Sequence, residues 1–289
     1  MSTRNWALGL TLGVAALATT STASAGMLED INATLAADGA NVRVYVAEAL
    51  TSDGNSITIY AKDVGNKQLT AHWVKGDPWR GGWTDISWIV DESEGATASG
   101  LTAADTYAAI DRAMATWDGV DCSTIPLYSM GSYDYDFGYV QFLLGYGGVP
   151  TWFADVTHAG WLPGGFYDLL APGGSNFILG VTFTFIWVDD VTEEPTDMNG
   201  DHKNDTAFRE IYYNDNFTWN IDANFDVETI ALHEVGHGLS QAHFGTIFVT
   251  PSGHLQFAPR AVMNAAYSGV QQELTGTDIA GHCSIWASW

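Results

Sequence analysis

Basic residues are scarce in this 289-residue chain: ten Lys and Arg stand against 34 Asp and Glu, a formal charge of −24. A surface so poor in cations repels phosphate backbones and argues against nucleic acid as a partner. It suits calcium, a saline medium or plain solubility, and composition does not choose among them. Cysteine is rare as well. Cys122 and Cys283 lie far apart and form no C-x-x-C pair, so neither reads as a redox or zinc-thiolate site. Beyond the N-terminus, no apolar run approaches the ~20 residues of a membrane-crossing helix. The chain also lacks internal repeats and low-complexity tracts.

What is present begins with an export signal. Arg4 supplies a positive charge, Trp6 to Ala18 is almost wholly apolar, and Ala23-Ser24-Ala25 offers small residues for cleavage, the order of a secretory leader. Residues 1–25 are therefore read as a signal peptide, and the mature chain is expected to be secreted, free of membrane and monomeric. In that compartment an even cysteine count favours a Cys122–Cys283 disulfide. A hydrophobic content of 46% is enough for a real core.

Residues 26–82 form an N-terminal segment, either a propeptide or a packed extension. Val42–Glu48 and Ser56–Lys62 alternate as short strands around the turn signal Ser52-Asp53-Gly54-Asn55, and Lys75 to Gly82 reads as a boundary. No cysteine lies in this segment, so it cannot block a metal with a thiolate. Residues 83–289 follow as the main domain. Expected there are a strand at Thr84–Val90, a helix over Thr102–Trp117, a short strand at Tyr139–Leu144, and strands at Ile178–Val188 and Arg209–Tyr213. An acidic loop, Asp189–Asp205, joins the last two. Asp226 should cap a helix starting at Val227 and running through His237. A final helix, Asp278–Trp286, would place Ile279, Cys283 and Trp286 on one face.

The informative stretch is HEVGHGLSQAH, His233 to His243. Histidines four apart on a helix project from one face and can share one metal ion. Glu234 adjoins the first, placed to act as general base on a zinc-activated water without being a ligand. His243 is the expected third ligand. On a continuing helix it would lie about 280° around and roughly 15 Å from His233, so the helix must break soon after His237. Gly238 weakens it there, and Ser240-Gln241-Ala242 must make the turn. The bland alternative, two solvated helix histidines beside an incidental glutamate, leaves the third histidine unexplained.

These residues resemble the metzincin metalloproteases, whose pattern is H-E-x-x-H-x-x-G-x-x-H followed by a methionine turn. His233, Glu234, His237 and His243 match position for position, while Ser240 stands where the pattern has glycine. That glycine normally takes a positive φ, so a serine should cost about 1 kcal/mol or shift the turn. Ala261-Val262-Met263-Asn264-Ala265 resembles the methionine turn, which implies Met263 as a hydrophobic base beneath the ligands. The helix ending in Trp117, IYYNDNFTW (211–219) and the closing LTGTDIAGHCSIWASW look closest to the matrixin-like branch, of a bacterial exported type. The resemblance covers about residues 83–289. It implies an α+β, two-lobed zincin fold: a twisted mixed sheet with the active-site helix, then a smaller C-terminal lobe after the third histidine, ending in a helix. The implied activity is zinc-dependent endopeptidase action on a protein or peptide substrate.

Several other residues are candidates. Asp197, Asn199, Asp201 and Asp205 space oxygen-bearing side chains around Gly200, either as a calcium loop or as a solvated acidic loop. Tyr267, four residues after Met263, is either a transition-state contact or a core aromatic. His158 with Asp155 is weak evidence for a second, structural zinc site, and we expect none. Twelve tryptophans raise the rival of a non-catalytic binding or adhesive protein that retains the zinc site.

Overall fold

The computed structural model describes residues 22–52, 57–60, 68–250 and 254–289. Most of the expected signal peptide and residues 53–55 of the expected turn lie outside the described residues. A helix not anticipated from sequence, α1 (Thr22–Ala37), opens the described chain. It begins inside the expected signal peptide and carries Leu28, Ile31 and Leu35 into the core.

The architecture is α+β around one mixed eight-stranded sheet. Its strands are β1 (Val42–Thr51), β2 (Ile57–Tyr60), β3 (Ala71–His72), β4 (Ile86–Asp91), β5 (Leu127–Tyr133), β6 (Val156–Leu162), β7 (Ile178–Trp187) and β8 (Asn204–Asn214). The order is β2-β1-β7-β8-β6-β4-β5, with β3 pairing β8. Strands β5, β4, β6 and β8 run parallel, whereas β7 is antiparallel to β8, and β1 to both β7 and β2. The N-terminal segment thus contributes strands to the same sheet as the main domain.

Alternation in Val42–Glu48 predicts a half-exposed strand, yet β1 is buried along nearly its whole length. The cause is that helices cover both sheet faces. On one face, α2 (Ala103–Asp118) and α5 (Val227–Gly238) close a core that includes Trp88, Ile110, Trp117, Leu232 and Met263. The opposite face packs α1, α3 (Tyr139–Leu144) and α4 (Gly164–Leu170) over Phe166, Phe183 and Phe208.

Helix α3 corrects the strand expected at Tyr139–Leu144. A short apolar run cannot be assigned by periodicity alone. Here Gly138 and Gly145, both at positive φ, bracket one helical segment. Its first free N–H groups, on Tyr139 and Val140, donate to the buried Glu210 carboxylate at 2.6 and 2.9 Å, a partner from β8 that no local signal reveals.

After His243 the chain forms a hairpin, β9 (Thr246–Val249) with β10 (Leu255–Ala258), then the Met263 turn and α6 (Gly276–Trp286). Helix α6 starts two residues earlier than expected, capped by Thr275 with Asp278 in a reciprocal box. Its buried face carries Asp278, His282 and Trp286, while Ile279 is exposed. Among the described residues, no helix is long and apolar enough to cross a membrane.

Cys122 and Cys283 form the expected disulfide across 161 residues, tying the chain just beyond α2 to α6. Closing so long a loop constrains the unfolded chain strongly. The double Ser variant should lose about 2–5 kcal/mol in urea unfolding, and an unchanged midpoint would show that packing alone holds α6.

Candidate metal centre

Helix α5 starts where Asp226 accepts a hydrogen bond from Thr229 N and ends at Gly238, as the position of His243 requires. Ser240 takes φ +67°, the left-handed conformation expected of the glycine it replaces. Its place is held from outside. The Ser240 carbonyl accepts from Leu69 N at 3.0 Å, and its hydroxyl accepts from Arg209 Nη1 at 3.1 Å.

The carbonyls at this helix end are likewise held by distant side chains. Gly238 O accepts from Trp73 Nε1 (3.0 Å) and Arg209 Nη1 (2.7 Å), and Leu239 O from Trp286 Nε1 (2.8 Å). Arg209 is fully buried, stacks against Trp73, and also donates to Ala71 O. Burial lowers its pKa to about 9. A guanidinium suits the negative end of a helix. Sequence reading missed Arg209 and Trp73 because their partners lie 29 and 165 residues away.

With the chain turned this way, His233, His237 and His243 meet. Their three Nε2 atoms lie 3.1 Å from one another. Each opposite nitrogen is engaged: His233 Nδ1 with Val262 O at 2.7 Å, His237 Nδ1 with Gln241 O at 2.8 Å, and His243 Nδ1 with Glu48 Oε2 at 3.1 Å, a close contact not aligned for a regular hydrogen bond. Burial, reinforced by the neighbouring histidines, lowers His233 to about 3 and His237 well below its usual value, so both rings are neutral.

This donor set fits zinc. Nitrogens about 2.0–2.1 Å from a tetrahedral zinc stand roughly 3.3–3.4 Å apart, close to the observed spacing. Neutral imidazoles that donate through Nδ1 direct lone pairs at one another through Nε2, an arrangement that a cation relieves.

Glu234 is fully buried beside the triad. Oε2 accepts from Thr182 Oγ1 at 2.6 Å. Oε1 makes no regular hydrogen bond among the described residues, though the Leu50 N–H faces the carboxylate. Burial pushes the acid up to about 8, partly offset by Thr182 and Leu50, while the Glu48 charge raises it further. Gly180 makes room here, since a Cβ there would stand 2.8 Å from Glu234 Oε1.

Met263 lies under the helix as expected. A Cβ at Gly236 would collide with its sulfur, so the glycine between His233 and His237 admits the methionine. Asp278 of α6 fastens this turn, accepting from Val262 N at 3.0 Å and Met263 N at 3.1 Å.

The other candidates fall elsewhere. The Tyr267 hydroxyl accepts from Asp226 N at 3.3 Å, about two helical turns before His233. That places Tyr267 on the wall of the small cavity beside His233. Asp197, Asn199 and Asp201 direct their oxygens at main-chain N–H groups of Asp201, His202 and Lys203, and Asp205 turns to Met198 N. His158 is buried against Tyr213 at 2.8 Å, whereas Asp155 pairs with Arg80 at 2.7 Å, so the two do not form a site. Sequence reading missed one carboxylate group: Asp91, Glu94 and Asp136 converge, and burial with mutual repulsion pushes Glu94 up to about 8.

No family model matches this chain, and no curated protein matches it.

Proposed function

We propose that this chain is a secreted zinc-dependent endopeptidase of metzincin type, nearest the matrixin-like branch, acting on protein or peptide substrates. The observation that carries the reading is the convergence of three Nε2 atoms at 3.1 Å with the Glu234 carboxylate buried beside them. His233, His237 and His243 would hold the metal. When bound, zinc supplies Lewis acidity at the point where the three nitrogens meet. The Nδ1 contacts orient the imidazoles. Glu234 takes a proton from water and returns it to the leaving amine. Thr182 fixes the carboxyl group, and the apolar surroundings hold its proton affinity near neutrality.

The rival adhesive reading rests on tryptophan, and most of the tryptophans are otherwise occupied. Seven of the twelve are buried, and Trp73, Trp117 and Trp286 spend their indole N–H groups on α5 or its end.

Purified chain should carry one zinc per molecule and cleave casein. Removing the metal with 1,10-phenanthroline should abolish cleavage, and added zinc should restore it. A folded protein that takes up no zinc would sink this reading.

A further inference from the structure

We infer that a calcium ion binds where the end of β4 meets the loop before α3, held by Asp91, Glu94, Asp136 and the side-chain oxygen of Gln141. The site shares no residue with the three histidines or with the acidic loop 189–205, and it does not rest on the proteolytic reading.

The carboxylates come together from separate parts of the chain. Asp91 closes β4 and is fully buried, Glu94 follows in the loop leading to α2, and Asp136 precedes α3. Oxygens of all three lie within 4.8 Å of one another. Ligands about 2.3–2.6 Å from one calcium stand at most about 4.6–5.2 Å apart, so a single ion reaches all three. The group offers oxygen alone, with no histidine or cysteine in it, which suits calcium and not zinc. Among the described residues, no Lys, Arg or His forms an ion pair with any of the three.

Gln141 points to a ligand independently. It is 0% exposed, and its amide lies against the cluster: Nε2 donates to Asp136 Oδ1 at 2.5 Å, and the side chain also bonds Glu94. Its Oε1 has no hydrogen-bond partner among the described residues, and neither has the buried Glu94 Oε2. Unmet buried acceptors are rare and costly. A half-turn of the amide exchanges Nε2 for Oε1 and turns a fourth oxygen on the ion.

The backbone is drawn in around these groups. A Cβ at Gly147 would stand 2.8 Å from Asp136 Oδ2, and one at Gly148 or Gly160 would collide with Gln141 or Glu94. Glu94 and Asp136 are only half-buried, which leaves the ion a way in and room for water as a further ligand. The same residues already join three elements. Asp91 Oδ2 accepts from Phe137 N at 2.7 Å, and Glu94 O from Trp161 N of β6 at 2.9 Å. The ion therefore clasps β4, β6 and the start of α3, and it stabilises the fold without entering the chemistry.

The test uses the full chain, freed of calcium on chelating resin, reloaded with one equivalent of zinc chloride and titrated with calcium chloride by calorimetry. Calcium should bind, and saturating calcium should raise the Tm by roughly 4 °C or more. Glu94→Gln and Asp136→Asn keep the shape and remove a charge. Each should weaken calcium at least tenfold and lose most of the Tm rise, while melting cooperatively without calcium. If one variant fails to fold, the other decides. Asp201→Asn, in the acidic loop, should bind calcium like the native chain. No calcium binding, native affinity in a folded Glu94→Gln or Asp136→Asn, or binding lost in Asp201→Asn would each overturn the inference.

Discussion

Glu234→Ala should lower casein cleavage by about 10²–10⁴-fold, the usual worth of a positioned acid–base group, while zinc content stays at one per molecule. The two results belong together. Glu234 points at Thr182 and Gly180, whereas the three Nε2 atoms meet without it, so its removal takes away proton transfer and spares the donors. In energy this is about 3–5 kcal/mol of transition-state stabilisation. Metal analysis and initial rates on the same preparation check it. Full cleavage in the variant would assign the base elsewhere, and lost zinc would make Glu234 a ligand.

A chain beginning at Trp83 should not fold. Residues 26–82 hold β1, which is hydrogen-bonded to β7 over nearly its whole length. They also hold Trp73, buried between Arg80 and Arg209. Losing a buried tryptophan costs about 3–5 kcal/mol. Losing Arg80 strands Asp155 without its cation, at a cost of similar size. Exposing the apolar edge and face of β7 adds to both, against a total stability of about 5–15 kcal/mol. Thermal denaturation followed by near-UV circular dichroism should show no cooperative transition for residues 83–289. A sharp transition with zinc bound would make the whole segment a removable propeptide.

The histidine cluster was legible in sequence because its geometry is local. His233 and His237 share a helix face by spacing, and the need to bring in His243 forced the helix to end where it does. Cap Asp226 was readable for the same reason, whereas Met263 came through the resemblance and the disulfide through cysteine count and compartment. What escaped was contributed from afar. Glu48 stands 195 positions before His243, and nothing about an acidic residue in an alternating strand announces a partner in the site. The boundary placed near Gly82 rested on a local cluster of turn residues, and β1 joins β7 across it, since strand pairing is blind to sequence distance. Ser240 shows the same limit at one residue: its left-handed backbone is tolerated because Leu69 and Arg209 hold it.

The end of α5 has a further consequence. Its last carbonyls are gripped by Trp73, Arg209 and Trp286, drawn from the N-terminal segment, a central strand and the final helix. Helix ends ordinarily fray at little cost, well below the free energy of global opening. Here fraying must release three remote parts of the molecule together, so the turn that carries His237 and leads to His243 opens only when the whole structure does. Amide protons of that turn should be among the slowest to exchange, and the geometry of His237 and His243 is inherited from global cooperativity rather than from the local strength of a glycine-rich helix end.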